Sequence, residues 1–368
     1  MEHLLKTPLY PIYEEYGAKV VDFAGWALPI QYEGIVQEHH AVRNTAGLFD
    51  VSHMGELEIT GPDAIRFLDR LLTNKISSLK DGQVQYSVMV DERGGILDDV
   101  LVYRFQEHRY WVIANAANRV KDFEWMQKHA EGYHVEINDL SFKVAQFALQ
   151  GPKASDILKA AGGNAAEPMR FFQFAETLQI NGINCLVSRT GYTGEDGFEL
   201  YFNPEHAITL WRLLLETGRD YGLKPAGLGC RDTLRFEACL PLYGHELDEN
   251  ITPFEAGLDW VVKLNKPDFI GREALFIQKE NGVPRKLIGF ELQERGIPRS
   301  GYEVHKNGNQ IGYVTTGYYS PTLKKNIGLA LIDTVYSNQG EDIQVIIRGK
   351  AVKAIIVDTP FYSKKYKK

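Results

Sequence analysis

Alternating apolar and polar residues predict three consecutive strands in the first half of the chain, with sequences VQYSVMV (84–90), ILDDVLVY (96–103) and RYWVIAN (109–115). The Gly-rich segment DERGG joins the first two and predicts a hairpin turn. Apolar residues recur at helical spacing over 118–130, and again near 205–217 and 228–240. This mixture of strands and helices predicts an α+β fold.

One strand–turn–helix pattern occurs twice. The chain reads GELEITGPDAIRFLDRLL from Gly55, and about ninety residues later it reads FALQGPKASDILKAA, with Gly-Pro between strand and helix each time. Proline is favoured at the first helical position because its missing N–H would have no partner there. The pattern predicts two related α+β halves, although a match this short can also arise by chance.

The pattern of predicted secondary structure changes after the polar segment KENGVPRK (279–286), which we interpret as a linker. Beyond it, KLIGFEL, GYEVHKNGNQIGYVTTG, IGLALID and VKAIIVD are short β runs separated by turns, without a helical pattern. We therefore expect an all-β, barrel-like C-terminal domain.

Composition and charge narrow the function classes. The chain has 368 residues, 44% hydrophobic and 24% charged, which is typical of a globular enzyme with two or three domains. No apolar run reaches the ~18 residues that span a membrane, and the polar N-terminus does not resemble a secretory signal, so we expect a cytoplasmic protein without a membrane partner. The net charge of −7 argues against nucleic-acid binding, and the terminal KKYKK is expected to be a solvated tail.

Metal and dinucleotide motifs are not found in the sequence. The three cysteines, Cys185, Cys230 and Cys239, are too few and too scattered for zinc ligation, and we expect reduced packing residues. The stretch Gly227-Leu-Gly229 does not continue as a dinucleotide-binding fingerprint, so no nicotinamide cofactor is expected.

Asp98 and Asp99 interrupt an otherwise apolar strand. Because successive side chains of a strand point to opposite faces, one carboxylate can meet solvent while the other faces the core side. A carboxylate in an apolar setting costs several kcal/mol unless it is partnered, which favours a functional role. The alternative is a strand edge where both acids are solvated, and the pattern alone does not choose between the two aspartates.

Two further segments have candidate binding groups. The loop TGYTGEDGFE (190–199) concentrates glycines and acids, which suits a ligand rich in N–H donors, or else forms a long hairpin turn. On the helix near 228–240, Arg231 lies one turn from Arg235, so either an anion binds nearby or the arginines pair with neighbouring acids. His53 and His245 are candidate acid–base residues, although a single histidine is more often structural.

Nine stretches in order along the chain carry a resemblance to a known family: TPLY, DFAGW, GLFDVSHMGE, GGILDDVLVY, NAAN, QGPKA, SRTGYTGEDGFE, AGLGCRDTLRFEA and SPTLKKNIGLALID. Together they resemble the aminomethyltransferase, or T-protein, family of the glycine cleavage system. The resemblance implies a three-domain architecture, with a discontinuous folate-binding α+β domain (1–50 plus 142–278), a second α+β domain (51–141) and a C-terminal β-barrel (285–368).

The resemblance also implies a reaction. The enzyme is expected to move the one-carbon unit of the aminomethyl group on the lipoyl arm of H-protein to the co-substrate tetrahydrofolate. Ammonia is released and 5,10-methylenetetrahydrofolate is formed. The expected partners are therefore lipoylated H-protein and tetrahydrofolate, and no metal or flavin is implied.

Family roles transfer to matching positions. Asp99 in GGILDDVLV corresponds to the catalytic carboxylate, which leaves Asp98 as a solvated or structural residue. Glu199 corresponds to a contact with the N–H edge of the pterin, and Arg231 to a folate contact that we assign to the anionic end. Further expected lining residues are Tyr103, Met54, Tyr192 and Trp260. Where some members have Pro-Phe-x-Arg near the C-terminus, this chain has Pro360-Phe-Tyr-Ser-Lys364, so Tyr362 or Lys364 is the candidate replacement.

Related scaffolds suggest three rivals. Flavin-linked oxidases of dimethylglycine and sarcosine have an additional oxidase half, which this chain lacks. A folate-binding accessory factor for iron–sulfur proteins has a Lys-Gly-Cys-type motif, whereas this chain has Cys230-Arg231-Asp232. A folate module of a tRNA-modifying GTPase is joined to a G-domain, and no such motif is present here.

Overall fold

A computed structural model of the chain describes residues 3–166 and 168–367. Residues 1, 2, 167 and 368 fall inside the predicted domains but lie outside the described residues. In chain order the strands are β1 (Lys19–Phe23), β2 (Trp26–Gln31), β3 (Ala46–Asp50), β4 (Gly55–Thr60), β5 (Gln83–Val90), β6 (Ile96–Gln106), β7 (Arg109–Ala114), β8 (Glu136–Asp139), β9 (Ala145–Gln150), β10 (Phe174–Ile180), β11 (Ile183–Ser188), β12 (Gly197–Phe202), β13 (Leu223–Pro225), β14 (Arg285–Leu292), β15 (Glu303–Lys306), β16 (Asn309–Ser320), β17 (Lys325–Asp333), β18 (Asp342–Ile347) and β19 (Lys350–Val357).

The α-helices of the described residues are α1 (Ile35–Asn44), α2 (Ala64–Leu71), α3 (Arg119–Lys128), α4 (Ala154–Ala160), α5 (Ala207–Gly218), α6 (Leu228–Glu237) and α7 (Arg272–Asn281). The predicted helices near 118–130, 205–217 and 228–240 correspond to α3, α5 and α6. In the described part of the chain, no helix has the length and apolar character needed to cross a membrane.

The two halves suggested by the Gly-Pro repeat share one topology. In one sheet the strand order is β5-β6-β7-β4-β8, and in the other it is β10-β11-β12-β9-β3-β13. In each half a strand leads through Gly-Pro into a helix, and a three-stranded meander then returns beside that strand. Both glycines have positive φ, +123° at Gly61 and +130° at Gly151, and a Cβ would lie 2.3 Å from the His134 carbonyl oxygen and 2.6 Å from that of Thr45. The repeat therefore reflects a shared fold.

Each sheet is covered by helices on one face. Helices α2 and α3 bury Phe67 and Met126 against the first sheet, and α4 and α5 bury Leu158 and Trp211 against the second. The uncovered faces meet at an aromatic cluster that includes Tyr103 and Trp111 from one sheet and Phe174 and Tyr201 from the other. Side chains on these facing surfaces are therefore brought together from distant parts of the chain.

The C-terminal strands close into a barrel in the order β14-β17-β16-β15-β18-β19, which confirms the predicted all-β region. The linker prediction was partly wrong, because residues 279–281 form the last turn of α7 and β14 begins at Arg285. Buried Leu275 anchors α7, and the polar residues of the predicted linker extend its exposed face. The prediction of a solvated basic tail was partly wrong, because Lys364, Lys365 and Lys367 are exposed but Tyr366 stacks on Phe171 with ring centroids 3.9 Å apart.

Pairing of β3 with β9 joins residues 47–50 to residues 147–150, so the first sheet is inserted between two strands of the second. On this basis we propose three domains with the boundaries predicted from the sequence: 1–50 plus 142–278, 51–141 and 285–368. Cys185, Cys230 and Cys239 are free thiols, with Cys185 and Cys230 buried.

Candidate functional site

A cavity of about 1120 Å³ lies where the two sheets, α6 and the barrel meet. Its volume exceeds that of a typical small-molecule pocket, which leaves room for two reacting groups. Six of the predicted site residues line it: Met54, Asp99, Tyr192, Glu199, Arg231 and Trp260. These residues come from both sheets, from α6 and from the segment before α7.

Asp99 lies on β6 and its carboxylate faces the cavity. The Tyr86 hydroxyl donates to Oδ2 of Asp99 at 2.9 Å, and the Asn115 side-chain amide donates to Oδ1 at 2.7 Å. Burial, followed by the negative charge of Asp98, raises the pKa of Asp99 to about 7. A carboxyl group with this pKa exists in both protonation states near neutral pH and is able to accept a proton.

Asp98 points to the opposite face of β6, as strand alternation predicts, but that face is covered by α3. The side chain has 0% exposure. Its carboxylate accepts hydrogen bonds from the Asn115 backbone N–H at 3.0 Å, the Asn115 amide at 2.8 Å and the Asn118 amide at 2.6 Å. The solvated alternative for Asp98 was wrong, because a helix covers the strand face that the sequence pattern left open.

Glu199 and Arg231 are neighbours in the cavity wall. Glu199 accepts hydrogen bonds from the Thr190 hydroxyl and, at 3.2 Å, from the Gln146 amide. Burial raises the pKa of Glu199, while the Thr190 hydrogen bond and the charge of Arg231 act to lower it. The Arg231 guanidinium lies 4.7 Å from the centre of the Tyr192 ring, and its buried Nη1 has no hydrogen-bond partner among the described residues. An unpaired donor in a cavity wall is a binding group for a ligand.

The other acids of the TGYTGEDGFE loop are used structurally. Glu195 pairs with Arg43 at 2.9 Å, and Asp196 pairs with Arg189. Arg235, one helical turn after Arg231, is paired with Asp232 at 2.7 Å and with Glu246 at 2.5 Å. Both arginines line the cavity, but the pairing with neighbouring acids that the sequence left open belongs to Arg235, and Arg231 is the one whose Nη1 has no partner among the described residues.

Two of the predicted contacts lie outside the cavity lining. Tyr103 is fully buried behind the wall, where its hydroxyl is 2.9 Å from that of Tyr201. The Tyr362 ring covers the Arg43 guanidinium at 3.9 Å. Lys364, the other candidate replacement for the C-terminal arginine of the family, does line the cavity, and burial lowers the pKa of its amine.

Both candidate histidines line the cavity. His53 has its Nδ1 buried without a partner among the described residues, and burial, followed by the charge of Arg231, lowers its pKa to about 3. It is therefore a neutral imidazole at physiological pH. His245 Nδ1 lies 3.2 Å from the Thr315 carbonyl oxygen.

Sequence reasoning missed Tyr86, Asn115 and Gln146, which hydrogen-bond to Asp99 or Glu199. Asn115 is part of the NAAN stretch, but nothing in the pattern connects any of the three to a carboxylate. Trp260 is 55% exposed and stacks on Tyr86 with ring centroids 5.5 Å apart. Tyr86 therefore contacts both Asp99, through its hydroxyl, and the exposed Trp260 ring, by stacking.

Comparison with known proteins identifies the family of the chain. Residues 9–266 match the GCVT N-terminal domain, and residues 285–363 match the glycine cleavage T-protein C-terminal barrel domain. The chain belongs to the aminomethyltransferase family of glycine cleavage T-proteins. Members of this T-protein family are tetrahydrofolate-dependent transferases.

Individual relatives of the T-protein family are similar over the full length. An aminomethyltransferase of Caldanaerobacter subterraneus is 59% identical over 100% of this chain and 98% of its own. One of Thermoanaerobacter pseudethanolicus is 55% identical over 100% of both chains. The crystal structure of glycine cleavage system aminomethyltransferase T from Bartonella henselae matches with a TM-score of 0.93 at 35% identity, covering 99% of this chain and 100% of that one. The predicted family, fold class and transferase class are confirmed.

Proposed function

We propose that this enzyme transfers the one-carbon unit of the aminomethyl group on the lipoyl arm of H-protein to tetrahydrofolate, with release of ammonia and formation of 5,10-methylenetetrahydrofolate. The observation that carries the proposal is the placement of Asp99, whose carboxylate faces a cavity that is also lined by Glu199 and Arg231. The full-length similarity to aminomethyltransferases supports the same reaction over the flavin-linked and accessory-factor alternatives.

The polar groups of the cavity fit a folate. Glu199 offers a carboxylate to the N–H edge of a pterin, and the unpaired Nη1 of Arg231 offers a donor to an adjacent ring oxygen. Because Arg231 acts electrostatically on Glu199, both belong to the same end of the ligand. We therefore revise the assignment of Arg231 to the anionic end and give that role to Lys364, which lines the cavity at the C-terminus.

Asp99 is the group we assign to the chemistry. Tetrahydrofolate supplies the nitrogen that accepts the one-carbon unit, and this nitrogen gains positive charge during transfer. A carboxylate held by Tyr86 and Asn115 stabilises that charge and accepts the amine proton, since its pKa of about 7 matches neutral conditions. Correct positioning of two substrates in one cavity contributes on the order of 7–11 kcal/mol.

The experiment that tests this function is ammonia release from aminomethylated H-protein, with and without tetrahydrofolate. We expect release to depend on tetrahydrofolate and to yield one equivalent of methylenetetrahydrofolate per ammonia. A rate independent of tetrahydrofolate would contradict the proposal. Folate binding without any ammonia release would instead indicate a binding module.

A further inference from the structure

A second carboxyl cluster lies behind Asp99, and its role in the enzyme rests on the proposed function of Asp99. Asp98 on β6 and Asp122 on α3 both have 0% exposure. Lys121, which acts electrostatically on Asp122, donates to the Leu97 carbonyl oxygen at 2.8 Å and to the Tyr243 hydroxyl at 2.9 Å. Asp98, Asp122 and the adjacent Asp99 would repel one another strongly if all three were ionised, so at least one of them must carry a proton.

The hydrogen bonds identify the protonated group. The carboxyl groups of Asp98 and Asp122 are both fully buried, and each acts on the ionisation of the other. Neither oxygen of Asp122 is reached by an N–H or O–H donor of the described residues, whereas Asp98 accepts three N–H donors from Asn115 and Asn118. Two carboxyl groups form a hydrogen bond with each other only when one of them is protonated. Protonation is more favourable on Asp122, because no N–H or O–H donor of the described residues stabilises its ionised form. Burial, followed by the charge of Asp98, raises the pKa of Asp122 far above its ordinary value.

We infer that Asp122 is a carboxylic acid that donates its proton to the carboxylate of Asp98, and that this pair positions Asn115 against Asp99. The Asn115 side-chain amide donates to Oδ1 of Asp98 at 2.8 Å and to Oδ1 of Asp99 at 2.7 Å. An amide –NH₂ group has two hydrogens, so an anionic Asp98 fixes its orientation and directs the other hydrogen to Asp99. Asp98 and Asp122 are therefore positioning residues.

The pair also bears on the ionisation of Asp99. One negative charge remains on Asp98, beside Asp99, and it favours the protonated form of Asp99. The titratable or charged groups that act on Asp99 or on the pair, from the elements packed against them, are Asp98, Tyr86, Asp122, Lys121, Tyr192 and Tyr243. Among them Asp98 is the ionised carboxylate next to Asp99 on the same strand.

Two variants test the inference through the pH profile of turnover. Asp98→Asn removes the charge beside Asp99, so the acidic limb of the profile should move by roughly one unit to lower pH. Asp122→Asn replaces a neutral acid by a neutral amide that also donates to Asp98, so the acidic limb should stay in place. If Asp122→Asn shifts the limb as Asp98→Asn does, Asp122 is ionised in the native enzyme and the inference is wrong.

A second measurement does not depend on turnover or on the folding of Asp98→Asn. The infrared difference spectrum between wild type and Asp122→Asn should contain the carbonyl stretch of a protonated carboxylic acid. Absence of that band overturns the inference. Glu56→Gln is the matched control, because Glu56 is 1% exposed and burial raises its pKa well above the ordinary range. This variant should lose a different band without moving the pH profile.

These results separate the inference from the proposed function. If Asp99→Asn retains full turnover, the proposed role of Asp99 fails, while the infrared band of Asp122 still reports the shared proton. If Asp99→Asn is inactive but Asp98→Asn leaves the acidic limb unchanged, the function stands and the inference falls.

Discussion

The Tyr86 hydroxyl donates a hydrogen bond of 2.9 Å to Oδ2 of Asp99, from the neighbouring strand of the same sheet. The other carboxylate oxygen of Asp99, Oδ1, accepts a hydrogen bond from the Asn115 side-chain amide. The hydrogen bond stabilises the ionised form and lowers the pKa of Asp99, against burial and Asp98, which raise it. Tyr86 therefore helps to keep Asp99 ionisable near neutral pH.

Tyr86→Phe should make Asp99 harder to ionise. Loss of a hydrogen bond to the charged form raises the pKa of Asp99, so the acidic limb of the kcat/KM profile should move by roughly one unit to higher pH. The measurement is turnover across the pH range, with Tyr221→Phe at a surface 3-10 helix as control. An unchanged profile in Tyr86→Phe would show that this hydroxyl does not act on the ionisation that controls turnover.

Asp99→Asn should separate chemistry from binding. An amide neither neutralises positive charge nor accepts the amine proton, so turnover should fall by about 10²-fold or more, while folate binding stays within about tenfold. Ammonia release and equilibrium titration of tetrahydrofolate measure the two effects. Asp156→Asn, at an exposed position on α4, is the control. Retained turnover in Asp99→Asn would rule out the catalytic assignment.

Lys364→Ala tests the replacement for the C-terminal arginine of the family. Loss of a partly exposed ammonium group in the cavity lining should weaken binding of tetrahydrofolate by about threefold to tenfold, and more for polyglutamylated forms. The difference in tetrahydrofolate affinity between wild type and Lys364→Ala should decrease at high salt, because salt screens the attraction between the ammonium group and the folate. Lys365→Ala is the matched control, since Lys365 is exposed and does not line the cavity. Equal tetrahydrofolate affinities in Lys364→Ala and Lys365→Ala would show that Lys364 does not bind the anionic end of the folate.

Glu237→Gln should weaken the junction between α6 and the barrel. Glu237 pairs with Arg43 at 3.0 Å and accepts hydrogen bonds from the Ser320 hydroxyl and the Thr322 N–H. Removing one partner of a buried ion pair costs about 3 kcal/mol, so the free energy of unfolding at neutral pH should fall by roughly that amount. Chemical denaturation measures it, with exposed Glu216→Gln on α5 as control.

The pH dependence of this effect follows from the pKa of Glu237. Burial acts to raise that pKa, but contact with His39 and the hydrogen bonds from Ser320 and Thr322 lower it from 4.5 to about 2. A lowered folded-state pKa contributes stability above the unfolded value that is lost as the pH falls toward the folded value. The difference in unfolding free energy between wild type and Glu237→Gln should therefore narrow between about pH 5 and pH 2. A difference that stays constant across that range would contradict this account.

Local patterns were sufficient where the chain's own periodicity decides the structure. The strands around Asp99, the Gly-Pro turns before α2 and α4, and the all-β C-terminal region were predicted, because period and turn residues are properties of neighbouring positions. The expected proline at the first helical position was wrong, since α2 and α4 begin two residues after their prolines. The order of the nine family stretches also identified the family from sequence alone.

The tertiary structure decided what each side chain meets. Strand alternation placed Asp98 and Asp99 on opposite faces, but only the packing of α3 buried Asp98, and only the meeting of two sheets with the barrel enclosed Asp99 in a cavity. In the same way, Arg231 and Arg235 look equivalent on one helix until Glu246 neutralises the second. Tyr362 and Lys364 differ because one packs on Arg43 and the other lines the cavity. The burial and the hydrogen-bond partners of these side chains depend on residues far apart in the chain, so they cannot be predicted from local sequence patterns.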